Sequence, residues 1–156
     1  MAEKLSVAIG CDDAALELKN VLRDHIAELG YEIEDLGIHD SSESVLYPDI
    51  AFAVANAVKD GRHQRGVLIC GTGIGVAISA NKVPGIRAAQ AHDTYSAERA
   101  RKSNDAQIVT LGARVVGPEL AKTIVSTFLA SDFQGGGSMA KVERIKAYEE
   151  ELEGRR

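Results

Sequence analysis

A thiol stands where a buried strand would break into a glycine-rich turn, in residues 66–75 (GVLICGTGIG). Residues 67–69 form a short aliphatic run typical of a parallel strand that is covered on both faces. Cys70 is therefore expected at the carboxyl end of that strand, where open α/β sheets bind their ligands. Every second residue from 71 to 75 is glycine, which lets backbone N–H groups close around an anionic or oxyanionic group. A thiol beside such amides gains thiolate character, and a thiolate can act as a base.

The same segment has a second interpretation. A free cysteine in an apolar stretch is often a small core residue. One Gly-x-Gly-x-Gly pattern can also serve only to let a strand and a helix pack closely. These ten residues alone leave core packing and a catalytic thiol both open.

Composition narrows the classes of function. The 156 residues carry a formal net charge of -5 with no Lys/Arg-rich stripe, which argues against a nucleic-acid partner. The apolar runs are too short to span a membrane, and the first residues lack the architecture of a signal peptide. Two cysteines without a Cys-x-x-Cys motif or a Cys/His cluster predict neither a disulfide framework nor a metal site. We therefore expect a protein of the reducing cytoplasm.

Apolar periodicity alternates between strand and helix along the chain, which predicts one domain over residues 1–156. Predicted strands cover 5–9, 32–36, 67–70, 86–91 and 108–111, and predicted helices cover 15–29, 48–60, 75–81, 94–102 and 118–129. Strands that alternate with helices form right-handed crossovers and a parallel sheet. The expected fold is α/β, a three-layer αβα Rossmann-like arrangement with a five-stranded parallel sheet.

The chain changes character after residue 131. Three glycines at 135–137 form a joint, and a charged helix is predicted at about 139–151. Val142, Ile145 and Tyr148 give this helix only a thin apolar stripe. A helix with so little to bury often packs on a neighbouring subunit. The alternative is a solvated tail.

Seven short motifs follow one another in order between about residues 5 and 145. They are residues 10–12 (GCD), 46–49 (LYPD), 69–75 (ICGTGIG), 80–87 (ANKVPGIR), 93–97 (DTYSA), 104–105 (ND) and 111–117 (LGARVVG). Together they resemble the type B ribose-5-phosphate isomerases, a family that includes the galactose-6-phosphate isomerase subunits. The resemblance implies an aldose-ketose isomerase that needs no cofactor or metal. It would act through a cis-enediol, at sites built between two subunits of a homodimer or of a dimer of dimers.

The resemblance also implies roles for matching residues. Cys70 would move the proton between the first two carbons of the sugar, with Thr72 as its hydroxyl partner. Backbone amides would hold the enediolate oxyanion, and other side chains would bind the sugar. The amides belong to Gly71, Gly73, Ile74 and Gly75, and the sugar-binding side chains are Asp12, Tyr47, Asn104 and Arg114. These residue types suit the chemistry, since an isomerisation needs a base and preorganised oxyanion donors.

Departures from the family pattern bear on the substrate. Asp13 and Ser103 stand where the family commonly has histidines, and residues 135–141 (GGGSMAK) replace its usual Gly-Gly-Arg-His-x-x-Arg segment. Only Lys141 keeps a cation there, so the usual ring-opening acid and most phosphate ligands are missing. A tetrose phosphate fits this loss, because it cannot close a five- or six-membered ring. An unphosphorylated sugar, or a larger sugar phosphate held differently, would also fit.

Asp13 and Ser103 are still candidate substrate ligands, although neither is a histidine. Asp13 would bind hydroxyl groups of the sugar. His92 follows the fourth predicted strand at the edge where the site must lie. It is a candidate acid or substrate ligand, or else a structural hydrogen-bonding residue. The other three histidines, His25, His39 and His63, are predicted on the surface.

Three functions are compatible with these observations. The first is an active sugar or sugar-phosphate isomerase with Cys70 as base. The second is a partly catalytic subunit that needs a related chain, as in galactose-6-phosphate isomerase. The third is a sugar-binding module that uses the same cleft without turnover.

Overall fold

Five parallel strands form one sheet in the computed structural model, which describes residues 5–156. The strands are β1 (Ser6–Cys11), β2 (Glu32–Asp35), β3 (Arg65–Cys70), β4 (Ala88–Gln90) and β5 (Ile108–Gly112), in the spatial order β2-β1-β3-β5-β4. The helices are α1 (Leu16–Glu28), α2 (Tyr47–Lys59), α3 (Ile74–Ala80), α4 (Thr94–Lys102), α5 (Pro118–Ala130) and α6 (Met139–Glu153). Helices α1, α4 and α5 pack together on one face, and α2 packs with α3 on the other. The predicted three-layer α/β fold is confirmed.

The central strands place the functional edge. β1, β3 and β5 are almost wholly buried because helices cover both of their faces. In the register of the sheet, Cys11 lies opposite Ile69, and Cys70 lies opposite Gly112. The carboxyl ends of the three strands therefore finish side by side, which is the edge where parallel sheets bind ligands.

All five strands differ from their predicted bounds by one to three residues in total, and two of them differ most, for local reasons. β1 continues past residue 9 to Cys11, whose amide donates to the carbonyl of Gly37, so this cysteine lies within the buried sheet. The fourth strand is shorter than predicted, because Ile86 is tied into a turn through the carbonyl of Val83. Helix α4 has the predicted bounds. No helix in residues 5–156 is both long and apolar enough to cross a membrane.

Two histidines predicted on the surface are partly buried. The His63 side chain is 12% exposed and lies between Ser6 Oγ, at 2.5 Å, and Glu34 Oε1, at 3.0 Å. His25 Nε2 lies 2.7 Å from Ser126 Oγ, in the contact between α1 and α5. The prediction was wrong for this pair because partners distant in sequence cover both rings. The third surface prediction is confirmed, since His39 is 60% exposed.

Helix α6 has few contacts with the rest of its own chain. Val142 is buried, but Ile145 and Tyr148 remain about half exposed, at 49% and 52%. One hydrogen bond fastens the middle of the helix, from the Gly85 amide to Glu149 Oε1 at 2.5 Å. Packing of this helix on a second subunit stays a prediction.

Candidate active site

Cys70 ends β3, and the turn that follows it wraps backbone amides around its sulfur. Gly73 adopts a left-handed conformation with a φ of 79°, which favours glycine. Its amide donates a hydrogen bond to Cys70 Sγ at 3.1 Å. The next amide, of Ile74, donates to Thr72 Oγ1 at 3.2 Å. The predicted pairing of the thiol with a glycine-rich turn is therefore present in the structure.

The turn of residues 71–75 rests directly on the end of β5. A Cβ at Gly73 would lie 2.8 Å from the Leu111 carbonyl carbon, and a Cβ at Gly112 would lie 2.7 Å from the backbone of Thr72. Glycine is needed on both sides of this contact because two backbones meet there. The amides of Gly71 and Thr72 donate to no protein group in the part of the chain that the structure describes. Both are therefore open to an oxyanion.

A cleft of about 410 Å³ opens over the thiol, and we call it the thiol cleft. It is lined by Asp12, Tyr47, Cys70, Gly71, Thr72, Ile74, Gly75, Ile78 and Arg114. Tyr47 lies over Gly75, where an added Cβ would come within 2.5 Å of the ring. Arg114 lies against Gly71, where an added Cβ would be 3.2 Å from Nη1. Both predicted sugar ligands are thus held at the mouth of the turn by glycines that make room for them.

Asp12 closes one side of the thiol cleft at the end of β1. Its Oδ1 accepts the Ala14 amide at 3.1 Å, which fixes the carboxylate as the cap of a single 3₁₀ turn, Asp13–Ala15. Burial raises the pKa of Asp12 above its usual value, while the Ala14 amide and Arg114 act in the opposite direction. A carboxyl group in this setting can accept sugar hydroxyls and takes up a proton more readily than a solvated aspartate.

Asp13 belongs to a second cleft of about 460 Å³, which we call the serine-loop cleft. Asp12 and Tyr47 line both clefts, so the two adjoin. The remaining lining of the serine-loop cleft is Ser41, Ser42, Glu43, Ser44, Val45 and Leu46. Three carboxylates and four hydroxyls, with no cation among the described residues of the lining, suit a polyol and repel a phosphate dianion. The placement agrees with the interpretation of Asp13 as a hydroxyl ligand.

Charge near the thiol comes from few groups. Arg114 is the one cationic side chain in the lining of the thiol cleft, as far as the described residues show. Cys11 lies one strand away and is fully buried, and burial raises its pKa to about 12. It is therefore a protonated core thiol, whereas the Cys70 sulfur accepts a hydrogen bond beside the cleft. Of the two cysteines, Cys70 lines the thiol cleft and Cys11 does not.

The remaining predicted ligands are not among the described residues that line the thiol cleft. His92 Nε2 accepts the Gly112 amide at 2.9 Å, which supports its structural alternative and leaves Nδ1 as the protonated nitrogen. Ser103 follows α4 and accepts Arg99 Nε at 2.8 Å, and the carbonyl of Asn104 accepts Arg87 Nε at 3.2 Å. These two residues lie at the amino edge of the sheet, the full length of β5 from the thiol. Lys141 is exposed near the start of α6.

One side of each cleft was not predicted from the sequence. Ile78 joins Ile74 on the exposed face of α3, and both are about half exposed, at 58% and 52%. Their spacing of one helical turn was a usable signal. The serines at 41, 42 and 44 are recognisable only once the β2–α2 loop is seen to face Asp13.

Comparisons with known proteins agree with this geometry. The family model for ribose/galactose isomerases matches residues 7–145. The chain is 58% identical to D-erythrulose-4-phosphate isomerase of Pectobacterium atrosepticum over 145 residues, which are 93% of this chain and 95% of that protein. It is 56% identical to ribose-5-P isomerase B of Listeria innocua over 142 residues, which are 91% and 95% of the two chains. The solved structure of Clostridium thermocellum ribose-5-phosphate isomerase B superposes with a TM-score of 0.92 and 47% identity, covering 95% of this chain and 99% of that one.

Proposed function

The chain belongs to the ribose/galactose isomerase family and is a sugar-phosphate isomerase, and we propose that Cys70 is its base and a tetrose phosphate its substrate. The observation that carries the proposal is the hydrogen bond from the Gly73 amide to Cys70 Sγ beside two unpaired amides. A thiolate and an oxyanion site side by side are what an enediolate mechanism requires. The proposed reaction needs no cofactor.

The proposed proton transfers balance within the substrate. The Cys70 thiolate removes the proton from the hydroxyl-bearing carbon next to the carbonyl. The electron pair of that C–H bond forms the C=C bond of the enediolate, and the π pair of the C=O bond passes to the carbonyl oxygen. The amides of Gly71 and Thr72 hold the enediolate oxygen, since neither is used by the protein. Cys70 then returns the proton to the former carbonyl carbon, and the C=C pair forms the new C–H bond. The proton of the neighbouring hydroxyl moves to the oxyanion, which leaves the new carbonyl at that neighbouring carbon. Thr72 Oγ1, which accepts the Ile74 amide, keeps its own proton free to exchange with the substrate oxygens.

Charge around the cleft supports a short substrate. Arg114 offers a planar cationic donor at the thiol cleft. The adjoining serine-loop cleft is lined by carboxylates, so a phosphate group is unfavourable there. A tetrose phosphate is open-chain and needs no ring-opening acid in place of Ser103. The similarity to a D-erythrulose-4-phosphate isomerase supports the same choice.

Steady-state kinetics on two substrate pairs tests the choice of substrate. We expect kcat/KM for the D-erythrose 4-phosphate and erythrulose 4-phosphate pair to exceed that for D-ribose 5-phosphate by about a hundredfold. A tenfold preference for D-ribose 5-phosphate would contradict the proposal. That outcome would favour the activity named for the Listeria innocua relative.

We also propose that the protein works as a homodimer or a dimer of dimers in the reducing cytoplasm. Ile145 and Tyr148 on α6 are about half exposed in their own chain, and the Arg144 guanidinium lies 5.8 Å from the centre of the Tyr148 ring. Ser103 and Asn104 lie at the sheet edge opposite Cys70, so they can act as ligands only for a site on another subunit. Both cysteines are free thiols, as a reducing compartment requires.

Light scattering on the parent and on Tyr148→Glu tests the assembly. We expect the parent at a multiple of 16.6 kDa and the variant shifted towards the monomer, because a charge would enter an apolar contact. Glu151→Gln, an exposed change on the same helix, should leave the mass unaltered. A parent that stays at 16.6 kDa at micromolar concentration would contradict the proposed assembly.

A further inference from the structure

Two side chains behind the turn of residues 71–75 hold its carbonyl groups. Gln90 Nε2, at the end of β4, donates to the carbonyl of Thr72 at 2.8 Å. Thr110 Oγ1, within β5, donates to the carbonyl of Gly73 at 2.8 Å. Neither Gln90 nor Thr110 lines the thiol cleft. The hydrogen bonds of both side chains go to carbonyl groups of the turn.

A trans peptide unit couples the front of the turn to its back. The C=O and N–H of one peptide point in opposite directions, so a bond that fixes the carbonyl also aims the amide. Gln90 fixes the peptide between Thr72 and Gly73, and the N–H of that peptide donates a hydrogen bond to Cys70 Sγ. Thr110 fixes the next peptide, between Gly73 and Ile74, and the N–H of that peptide donates a hydrogen bond to Thr72 Oγ1. Each side chain is therefore linked through one peptide to one reacting group.

We propose that Gln90 is a positioning residue for Cys70, and Thr110 one for Thr72, each acting through the peptide whose carbonyl it holds. The proposal rests on the assignment of Cys70 as the base. A donor on the carbonyl also polarises the peptide and strengthens the hydrogen bond that its N–H makes to the thiolate. Gln90 thus favours the reactive form of Cys70 without touching substrate.

The rest of the turn is fixed by backbone alone. The carbonyls of Cys70 and Gly71 accept the amides of Ala113 and Arg114, at 2.8 and 3.0 Å. A substitution of Gln90 leaves those two backbone hydrogen bonds in place, so the turn stays packed on the end of β5. Gln90 is exposed, and its replacement creates no cavity. Its effect on Cys70 can therefore be separated from an effect on folding.

The test compares Gln90→Met with Gln64→Met. Both glutamines are exposed and each makes one side-chain hydrogen bond to a backbone group, but Gln64 Oε1 accepts the Ser6 amide at the opposite edge of the sheet. The first readout is the rate at which iodoacetamide alkylates Cys70 at neutral pH, assigned by peptide mass spectrometry. The second is the split between kcat and KM. Gln90→Ala is made as a second variant, and thermal unfolding of each variant is recorded.

We expect both Gln90 variants to slow alkylation of Cys70 by about three- to tenfold, because a charge-assisted hydrogen bond to the thiolate is weakened. We expect kcat to fall by a similar factor with KM little changed, and Gln64→Met to match the parent. Alkylation and kcat equal to the parent in both Gln90 variants would overturn the proposal. Alkylation needs no substrate, so an inactive parent would refute the proposed function while this comparison still decided the role of Gln90.

Discussion

Gly112 and Thr72 touch backbone to backbone: a Cβ at Gly112 would lie 2.7 Å from both the Cα and the carbonyl carbon of Thr72. This contact seats the turn that carries Cys70 on the end of β5. His92 also fixes Gly112, because its Nε2 accepts a hydrogen bond from the Gly112 amide. The geometry of the proposed base therefore depends on a residue that has no side chain.

Gly112→Ala is expected to displace the turn. Since a displacement of the catalytic groups by about 1 Å can cost 10²-fold in rate, kcat/KM should fall by at least about a hundredfold. Overpacking should also lower the free energy of unfolding by about 1 to 3 kcal/mol. Kinetics and urea denaturation of the same preparation measure both effects.

Gly117→Ala is the matched control for that substitution. Gly117 lies five residues further along the chain, and a Cβ there meets nothing within 4 Å at a φ of -76°. We expect activity and stability close to those of the parent. Equal activities for the Gly112 and Gly117 variants would show that the turn tolerates displacement.

Much of this arrangement could be predicted from local patterns. The aliphatic run before Cys70 and the glycines after it were enough to place a thiol at the carboxyl end of a strand. The need for glycine at 112 was not predictable, because it comes from the register of β3 with β5. The roles of Gln90 and Thr110 were missed for the same reason. Their hydrogen bonds join residues 18 and 37 positions apart in the chain.

The histidines show a second limit of sequence analysis. His63 lies two residues after Gly61 in a polar stretch, which is typical of an exposed loop, yet Ser6 and Glu34 from two strands cover its ring. Helix α6 shows the reverse, since its thin stripe predicted weak packing and most of that stripe is exposed. Local pattern predicts elements well, whereas burial depends on which elements become neighbours.

Asp12 is expected to set the acid limb of the pH profile. Burial raises its pKa above the ordinary 3.8, so it loses its charge at a higher pH than a solvated aspartate. If its carboxylate binds substrate hydroxyls, kcat/KM falls as pH drops through this raised pKa. Asp12→Asn should lower kcat/KM and remove the limb.

Asp13→Asn is the control for the Asp12 profile. Asp13 is the neighbouring carboxylate and is exposed in the serine-loop cleft. The charge of Asp13 is one of the groups that raise the pKa of Asp12, so its replacement should move the acid limb to a slightly lower pH without removing it. An unchanged limb in Asp12→Asn would assign the titration to another group.

Asp35 is expected to stabilise the fold through Lys19. Lys19 is fully buried, and its Nζ lies 2.5 Å from Asp35 Oδ2. Burial alone would raise the pKa of Asp35, but the hydrogen bonds from Lys19 and the Gly37 amide outweigh it, and the pKa is lowered. Asp35→Asn leaves a buried cation unpaired, so the free energy of unfolding at neutral pH should fall by about 3 to 5 kcal/mol.

The sign of the pH dependence follows from that lowered pKa. The folded protein binds the Asp35 proton less readily than the unfolded chain, so the stabilisation is complete above 3.8 and is lost as pH falls through the lower, folded value. Urea denaturation should show the gap between parent and variant closing in strong acid. Asp24→Asn, at a carboxylate 67% exposed, should cost less than about 1 kcal/mol. A gap that widened in acid would contradict the assignment.

Asp13→His is expected to shift the choice of substrate. A histidine in the serine-loop cleft replaces one of its three carboxylates with a group that can pair with phosphate. The ratio of kcat/KM for D-ribose 5-phosphate to that for the tetrose phosphate should rise by about tenfold. Asp60→His, at an exposed carboxylate outside both clefts, is the control. A ratio unchanged by the first substitution would show that Asp13 does not discriminate between these substrates.

Exchange of the carbon-bound proton in heavy water tests the role of Cys70 most directly, because it follows the chemical step whichever product accumulates. With the tetrose phosphate as substrate, the parent and Cys11→Ala should incorporate deuterium next to the carbonyl. Cys70→Ala should lose this exchange by about 10² to 10⁴-fold while its circular dichroism stays that of the parent. Exchange at the parental rate in Cys70→Ala would contradict the assignment of Cys70 as the base.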